Sequence, residues 1–218
     1  MTDDDFRLLI EHGDTNGMRR ALEADAGLAN RAIRWHLNQP NESDPLHFVS
    51  DCVFHGWLKN GTEGQIAELL LEFGAELNGT LDRESPLIAS TSLGAERVSK
   101  VLIDAGADLE RTSVYGSRAL HWAAWMGASA TVDLLIDRGA QIEVRDSEFG
   151  STPLFWAVHG YGPNGTAQKT DQVGAAKRLI DAGADPRTAN KRGVTAFELA
   201  KTCERTEMYD LLSQYVMC

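Results

Sequence analysis

The sequence predicts an all-α fold, a solenoid of about six helix–turn–helix repeats joined by short β-hairpin loops. Three observations predict it. The heptapeptide Leu-Ile-Asp-Ala-Gly-Ala-Asp occurs at 102–108 and again at 179–185, with near-copies at 70–76 and 135–141. The glycines of these four segments, Gly74, Gly106, Gly139 and Gly183, stand 32, 33 and 44 residues apart, a spacing close to one two-helix repeat. Asp44-Pro-Leu, Ser85-Pro-Leu and Thr152-Pro-Leu each open an apolar run. In each, a side chain that can cap a helix precedes a proline at the first helical position, where no N–H is needed.

The elements follow in order. Residues 2–43 form a degenerate first repeat, with two helices in FRLLIEHGDTNGMRRALEADAGLAN but no Pro-Leu opening. Its acidic start suits an N-terminal cap. The hairpin that follows is long, RAIRWHLNQPNESD at 31–44. Repeats two to five run 44–82, 83–115, 116–149 and 150–192. In the fourth, Ala119, Leu120, Ala123 and Ala124 fall at helical spacing and Gly127 closes the first helix. Val132, Leu134, Leu135 and Ile136 face the second helix inward, and Gly139 ends it. Arg118 stands where a capping Thr is expected, so that start should be weaker by about 1 kcal/mol. Residues 193–218, with GVTAFELAK and MYDLLSQY, form a C-terminal cap with no hairpin after it. Residues 1–218 therefore read as a single domain.

From Pro86 to Gly106 is 20 residues, whereas Pro45 to Gly74 is 29 and Pro153 to Gly183 is 30. The extra residues, around 57–64 and 160–172, are rich in Gly, Asn and Thr and are assigned to loops.

These openings and closings resemble the ankyrin repeat, whose helix-opening Thr-Pro-Leu-His and closing Gly-Ala-Asp are matched residue by residue over nearly the whole chain. The resemblance implies a binding module whose first helices and hairpin tips line a concave face. Its variable positions follow the Ala-Ala pair of each first helix and include Asp51, Leu93, Trp125, Met126 and His159. Tyr115 and Phe149 fall at hairpin tips. The expected partner-binding patch is Tyr115, Trp125, Met126, Phe149 and His159, with Leu93 a further candidate, since aromatic residues and Met concentrate binding energy. The alternative is that Trp125 and Phe149 pack between repeats as core. Trp122 and Trp156 stand where the family has a core Leu and are expected to be buried. His47 and His121 match the Pro-Leu-His histidine, which the resemblance makes a structural hydrogen-bonder between hairpins.

Composition narrows the function classes. The formal charge of −11 disfavours nucleic acid and anionic membranes and suits a protein partner with a basic surface. No apolar run approaches the roughly 18 residues that span a bilayer, and three aspartates stand at the N-terminus where a secretory signal needs positive charge. A cytoplasmic monomer is the expectation. Three scattered cysteines do not suggest a disulfide framework. His47, Cys52 and His55 lie on one helix, but no second Cys/His pair completes a metal site. Gly160, Gly162 and Gly165 lack the Lys-Ser/Thr of a phosphate loop. No nucleophile motif is present, so no catalytic, cofactor or metal residues are expected. The reading is a non-catalytic adaptor, inhibitor or regulatory subunit. The alternatives are an immunity or antitoxin protein that neutralises a basic partner, or the scaffold part of a larger effector.

Overall fold

A computed structural model describes residues 2–36, 40–58, 60–80, 83–161 and 171–216. The chain falls into two compact halves, Met1–Asp108 and Leu109–Cys218. Most of the 160–172 insert lies outside the described residues, as does Cys218.

In the first half, helices α1 (Asp3–His12), α3 (Pro45–Phe54) and α5 (Pro86–Ser92) pack in one row. Helices α2 (Thr15–Ala24), α4 (Glu63–Glu72) and α6 (Glu96–Asp104) make a second row, each packed on its partner in the first. The second half repeats the plan. There α7 (Ala119–Met126), α9 (Pro153–Gly160) and α11 (Ala196–Thr202) form one row, and α8 (Ser129–Asp137), α10 (Gln172–Asp181) and α12 (Thr206–Val216) the other. No described helix is long and apolar enough to cross a membrane.

The helix starts follow from their caps. Ser85 Oγ accepts from Ile88 N–H at 3.2 Å and Thr152 Oγ1 from Phe155 N–H at 3.3 Å. Asp44 makes no such bond; its carboxylate is taken by the Arg83 guanidinium at 3.2 Å, so Pro45 alone marks that start. At the uncapped Arg118, the imidazole of His121 supplies half of a capping box: its Nδ1 accepts from Arg118 N–H at 3.1 Å. The Arg118 side chain turns away to Glu110, with Nη1 3.1 Å from Oε2 and Nε donating to the carbonyl at 3.2 Å.

The recurring heptapeptide turns out to stitch repeats together through its backbone. The N–H of Glu76, Asp108, Gln141 and Asp185, which close the four copies, donates to a side-chain oxygen of the preceding repeat. The acceptors are Asn30 at 2.7 Å, Asn78 at 2.8 Å, Glu110 at 2.9 Å and Glu143 at 3.0 Å. A backbone donor is satisfied at each step, which explains why the closing position tolerates Asp, Glu or Gln.

The core of the first half is apolar and fully covered, with Phe6, Ile10, Met18, Leu22, Phe48 and Leu70 among its largest members. In the second half Leu120, Val132, Leu135, Leu154, Leu179 and Leu212 play that part. Each such side chain contributes about 1.5–3 kcal/mol by burial.

Only one expected hairpin is a strand ladder among the described residues. Strands β1 (Ile33–His36) and β2 (Pro40–Ser43) pair antiparallel, Ile33 with Ser43. The other described tips are tight loops closed by a few backbone bonds, such as Ser113 N–H to Ser117 O and Asp146 N–H to Ser151 O, with a single bridge between Ala189 and Thr195 at the last. These loops are too short to run two strands, and the long 31–44 segment has the residues to do it.

The insert at 57–64 connects α3 to α4 as a loop, but it is not loosely held. Trp57 N–H and Leu58 N–H both return to Cys52 O, and Leu58 is 7% exposed. Glu63 and Gly64 already belong to α4.

Candidate functional site: an aromatic groove in residues 109–218

Small residues bring α7 and α9 together. Ala123, Ala124 and Ala157 are fully buried on their facing surfaces. Gly160 lies so near α7 that a Cβ there would stand 2.4 Å from Trp125 O. That approach turns large side chains at the ends of both helices outward on one side. The result is a groove of about 620 Å³ walled by Trp122, Trp125, Phe155 and Trp156 from the helices and by Tyr115 and Phe149 from the loops. Val194 and Leu199 extend the apolar wall, and Glu148 and Arg192 stand at its edge.

The rings meet at steep angles. Trp122 meets Trp156 edge-on at 4.9 Å and 81°, and Trp125 meets it at 5.8 Å and 69°. The His159 imidazole leans on Trp125 at 4.9 Å and is near-parallel to Phe155 at 6.5 Å. Burial, and secondarily the positive charge of Arg205, lowers the His159 pKa below its ordinary value, so the ring is neutral near pH 7.

Asp146 holds the floor. It is 2% exposed and accepts from Phe149 N–H at 2.6 Å, Ser151 N–H at 3.0 Å and Trp156 Nε1 at 3.0 Å. One carboxylate thus fixes a loop and an indole together. His121 ties in from behind: with Nδ1 an acceptor, its Nε2 donates to Ser151 O at 3.2 Å. Burial pushes the His121 pKa down to about 4.

Of the residues expected at a partner surface, Tyr115, Trp125, Phe149 and His159 line this groove. Tyr115 and Phe149 are 46% and 43% exposed. Met126 ends α7 half-buried and is not part of the lining. Leu93 caps α5 in the first half, half-buried, outside the groove. Trp156 is buried as expected, but Trp122 is only half-buried and contributes a wall. Sequence reasoning missed Asp146, Ser151 and Phe155. For Phe155 a signal existed, since it replaces the His of Pro-Leu-His. For Asp146 there was none.

The first half carries a second aromatic cluster. Trp35 packs on Trp57 at 5.5 Å and on His55 at 5.4 Å, and Trp57 stacks on His55 at 4.8 Å. Trp35 Nε1 donates to Ser43 Oγ, which donates to Asp51 at 3.0 Å. Burial raises the Asp51 carboxyl above its usual range, with His47 3.8 Å away. His47 also acts electrostatically on Glu84, at the opening of the next repeat. Cys52 is a buried free thiol, and among the described residues no three His, Cys, Asp or Glu side chains cluster to hold a metal.

Charge is unevenly divided. Residues 1–108 hold 19 acidic and 9 basic side chains, and residues 109–218 hold 13 and 12. The acidity of the chain therefore belongs almost wholly to the half without the groove.

A family model described as ankyrin repeats (3 copies) matches residues 54–146. Protein PhlB of Serratia liquefaciens is 33% identical over 187 residues, covering 85% of this chain and 76% of that protein. Ankyrin repeat and SOCS box protein 6 of Mus musculus is 33% identical over 111 residues, half of this chain and 24% of that protein. Palmitoyltransferase Hip14 of Drosophila melanogaster is 26% identical over 113 residues, 52% of this chain but 16% of that protein. The chain thus spans only about a sixth to a quarter of the last two relatives, within a region of repeats. Paired helices closed by left-handed glycines, a family model across three copies and a relative alike over most of both lengths converge: the chain belongs to the ankyrin-repeat family.

Proposed function

We propose that the chain is a non-catalytic binding protein that seats one protein partner in the aromatic groove of residues 109–218. Ankyrin repeats generally mediate protein–protein interaction. The observation that carries the reading is the groove itself, in which six aromatic walls and a neutral imidazole surround about 620 Å³ and two of the rings stand nearly half exposed. Such concave, ring-lined sites are where binding energy concentrates. Ser151 supports a non-catalytic role. Ser151 belongs to the groove's lining, but its hydroxyl is buried and hydrogen-bonds to no base, and a serine without one is a poor nucleophile. The role is that of an adaptor, inhibitor or regulatory subunit, acting as a monomer.

The test uses Tyr115→Ala and Phe149→Ala, both exposed and off the helices. Each should weaken binding of the partner captured by the intact chain by about tenfold, with helical circular dichroism unchanged. Full retention of the partner by both variants would refute the groove as its seat.

A second reading has its own support. The excess of acid in residues 1–108 favours a basic partner, as an immunity or antitoxin protein would meet. Co-expression with the product of an adjacent gene that arrests growth alone is its test; unrelieved arrest counts against it.

A further inference from the structure

We infer that Arg205 is a receiving site for one carboxylate, the side chain of an aspartate or glutamate on the partner protein. That the carboxylate is the partner's rests on the reading of the groove as the partner's seat; the site itself does not.

Arg205 stands in the turn between α11 and α12, where the last repeat departs from its neighbours. At this turn the N–H of one residue returns to the carbonyl five residues back. That residue is Ala95 in the third repeat and Ala128 in the fourth, 1% and 9% exposed, with bonds of 2.8 and 2.9 Å. Arg205 makes the same bond to Ala200 O at 3.0 Å, so a guanidinium starts from a position that there buries a methyl group. The residue before it is Gly94 or Gly127 in those repeats. Here it is Glu204, at φ +52° the one non-glycine in the left-handed region among the described residues.

The guanidinium is desolvated and lacks a counter-ion. Arg205 is half-buried, and its Nε and Nη1 are covered by protein and hydrogen-bond to nothing. Nη2 is the nitrogen left at the surface. Burial pulls the Arg205 pKa down, and the groups that offset this are the Cys203 thiol and the Tyr161 phenol, not a carboxylate. Residues 162–170, which follow Tyr161, contain no Asp or Glu. Acidic side chains outnumber Lys and Arg by 32 to 21, so this arginine is not unpaired for want of acids. A desolvated charge without a counter-ion costs folding free energy, and an anion from outside recovers part of it. Reaching Nη2 is enough, because the charge is shared over the whole guanidinium.

The position adjoins the groove. Helix α11 packs on α9 and carries Leu199 of the groove wall, and the Arg205 charge acts on the His159 imidazole, another member of the lining. The ligand must be an anion, since a guanidinium only donates. It must carry a single charge, because no second basic side chain acts on Arg205 or His159, whereas phosphate sites gather several arginines. A carboxylate meets both conditions.

Free acetate tests the site on the intact chain by NMR, with sodium chloride at equal ionic strength as reference and inorganic phosphate as the rival anion. Acetate should shift the Arg205 Nε–H resonance saturably, half-way at roughly 10–100 mM as one charge-assisted contact gives. It should also raise the His159 pKa, since the charge that depresses it is neutralised; chloride should do neither. Arg205→Ala restores the residue of the third and fourth repeats. It should abolish the acetate response, raise the His159 pKa unaided, melt no lower than the native chain and weaken the captured partner about tenfold. Three results would each overturn the site: no saturable shift with acetate, phosphate binding about tenfold tighter than acetate, or a lower melting temperature for Arg205→Ala, which would make the arginine structural. Acetate binding with partner affinity unmoved by Arg205→Ala, while the Tyr115 and Phe149 variants weaken it, would overturn the assignment of the carboxylate to the partner. Retention of the partner by those two variants as well would sink the groove reading, and the acetate result would still decide the site.

Discussion

Gly106 sits at φ +85° with nothing within 4 Å of where a Cβ would stand, whereas Gly160 has ordinary helical backbone and no room at all. The two glycines are there for different reasons, and substitution separates them. Gly106→Val pays only for its left-handed backbone, about 2 kcal/mol for a branched residue, so its melting temperature should drop while partner binding at the temperature of the intact fold is kept. Gly160→Ala drives a methyl into Trp125 O and should disturb the α7–α9 crossing, losing partner binding as well as about 1–3 kcal/mol of stability. If both variants behave alike, the close approach is not what shapes the groove. His121 adds a pH dependence. Its folded pKa of about 4 lies below the ordinary 6.5, so the unfolded chain binds the extra proton between those values. Stability is therefore full above pH 6.5 and declines as pH falls towards 4, by about 3 kcal/mol for the whole shift. Protonation also ends the bond from Arg118 N–H to Nδ1. Urea titrations of the native chain and His121→Gln at pH 7.5 and 4.5 check this, the variant losing less stability over that interval.

Among the elements, the paired helices were legible because their signals are local: a capped proline at one end and a left-handed glycine at the other. The placement of Tyr115, Trp125, Phe149 and His159 was legible for a related reason, since a fixed repeat makes position within it a proxy for direction. Trp122 was not. Its half-exposure depends on how far α9 stands from α7, and that distance is set by Ala157 and Gly160 some 35 residues later. The Asp146 clamp was equally hidden, because an aspartate in a polar loop looks the same whether it caps a solvated turn or carries an indole. The capping deficit expected at Arg118 is offset in part by His121, another contact that local reading assigned elsewhere. The backbone stitches were missed because their acceptors, Asn30, Asn78, Glu110 and Glu143, are two asparagines and two glutamates, with no one residue type to mark the position. They lead to a prediction: Asn78→Ala leaves Asp108 N–H without its acceptor at 2.8 Å and should cost about 1 kcal/mol. Denaturant melts will show it, and a change under a few tenths of a kcal/mol would mean water replaces the bond freely.

At the scale of the whole molecule, acidity and aromatic surface are allotted to different stretches of chain. Net charge alone pointed to a basic partner, but nearly all of that charge lies in residues 1–108, while residues 109–218, which hold the groove, are close to neutral in sum. The proposed groove contact and the proposed attraction of a basic partner to the acidic half are separable by salt. Raising salt from 50 to 500 mM should slow association through the acidic half while leaving dissociation, governed by the groove, nearly constant. A dissociation rate that climbs as steeply as association falls would show that charge holds the complex. The claim on which the rest depends is that the groove is the seat of binding, and Trp125 tests it most directly, since it forms a wall without being fully buried. The measurement is the affinity of the captured partner for the native chain and for Trp125→Ala, with circular dichroism on both. A loss of about 30-fold or more with unchanged helicity is the result predicted; undiminished affinity, or a collapse of helicity that makes Trp125 core, would contradict it.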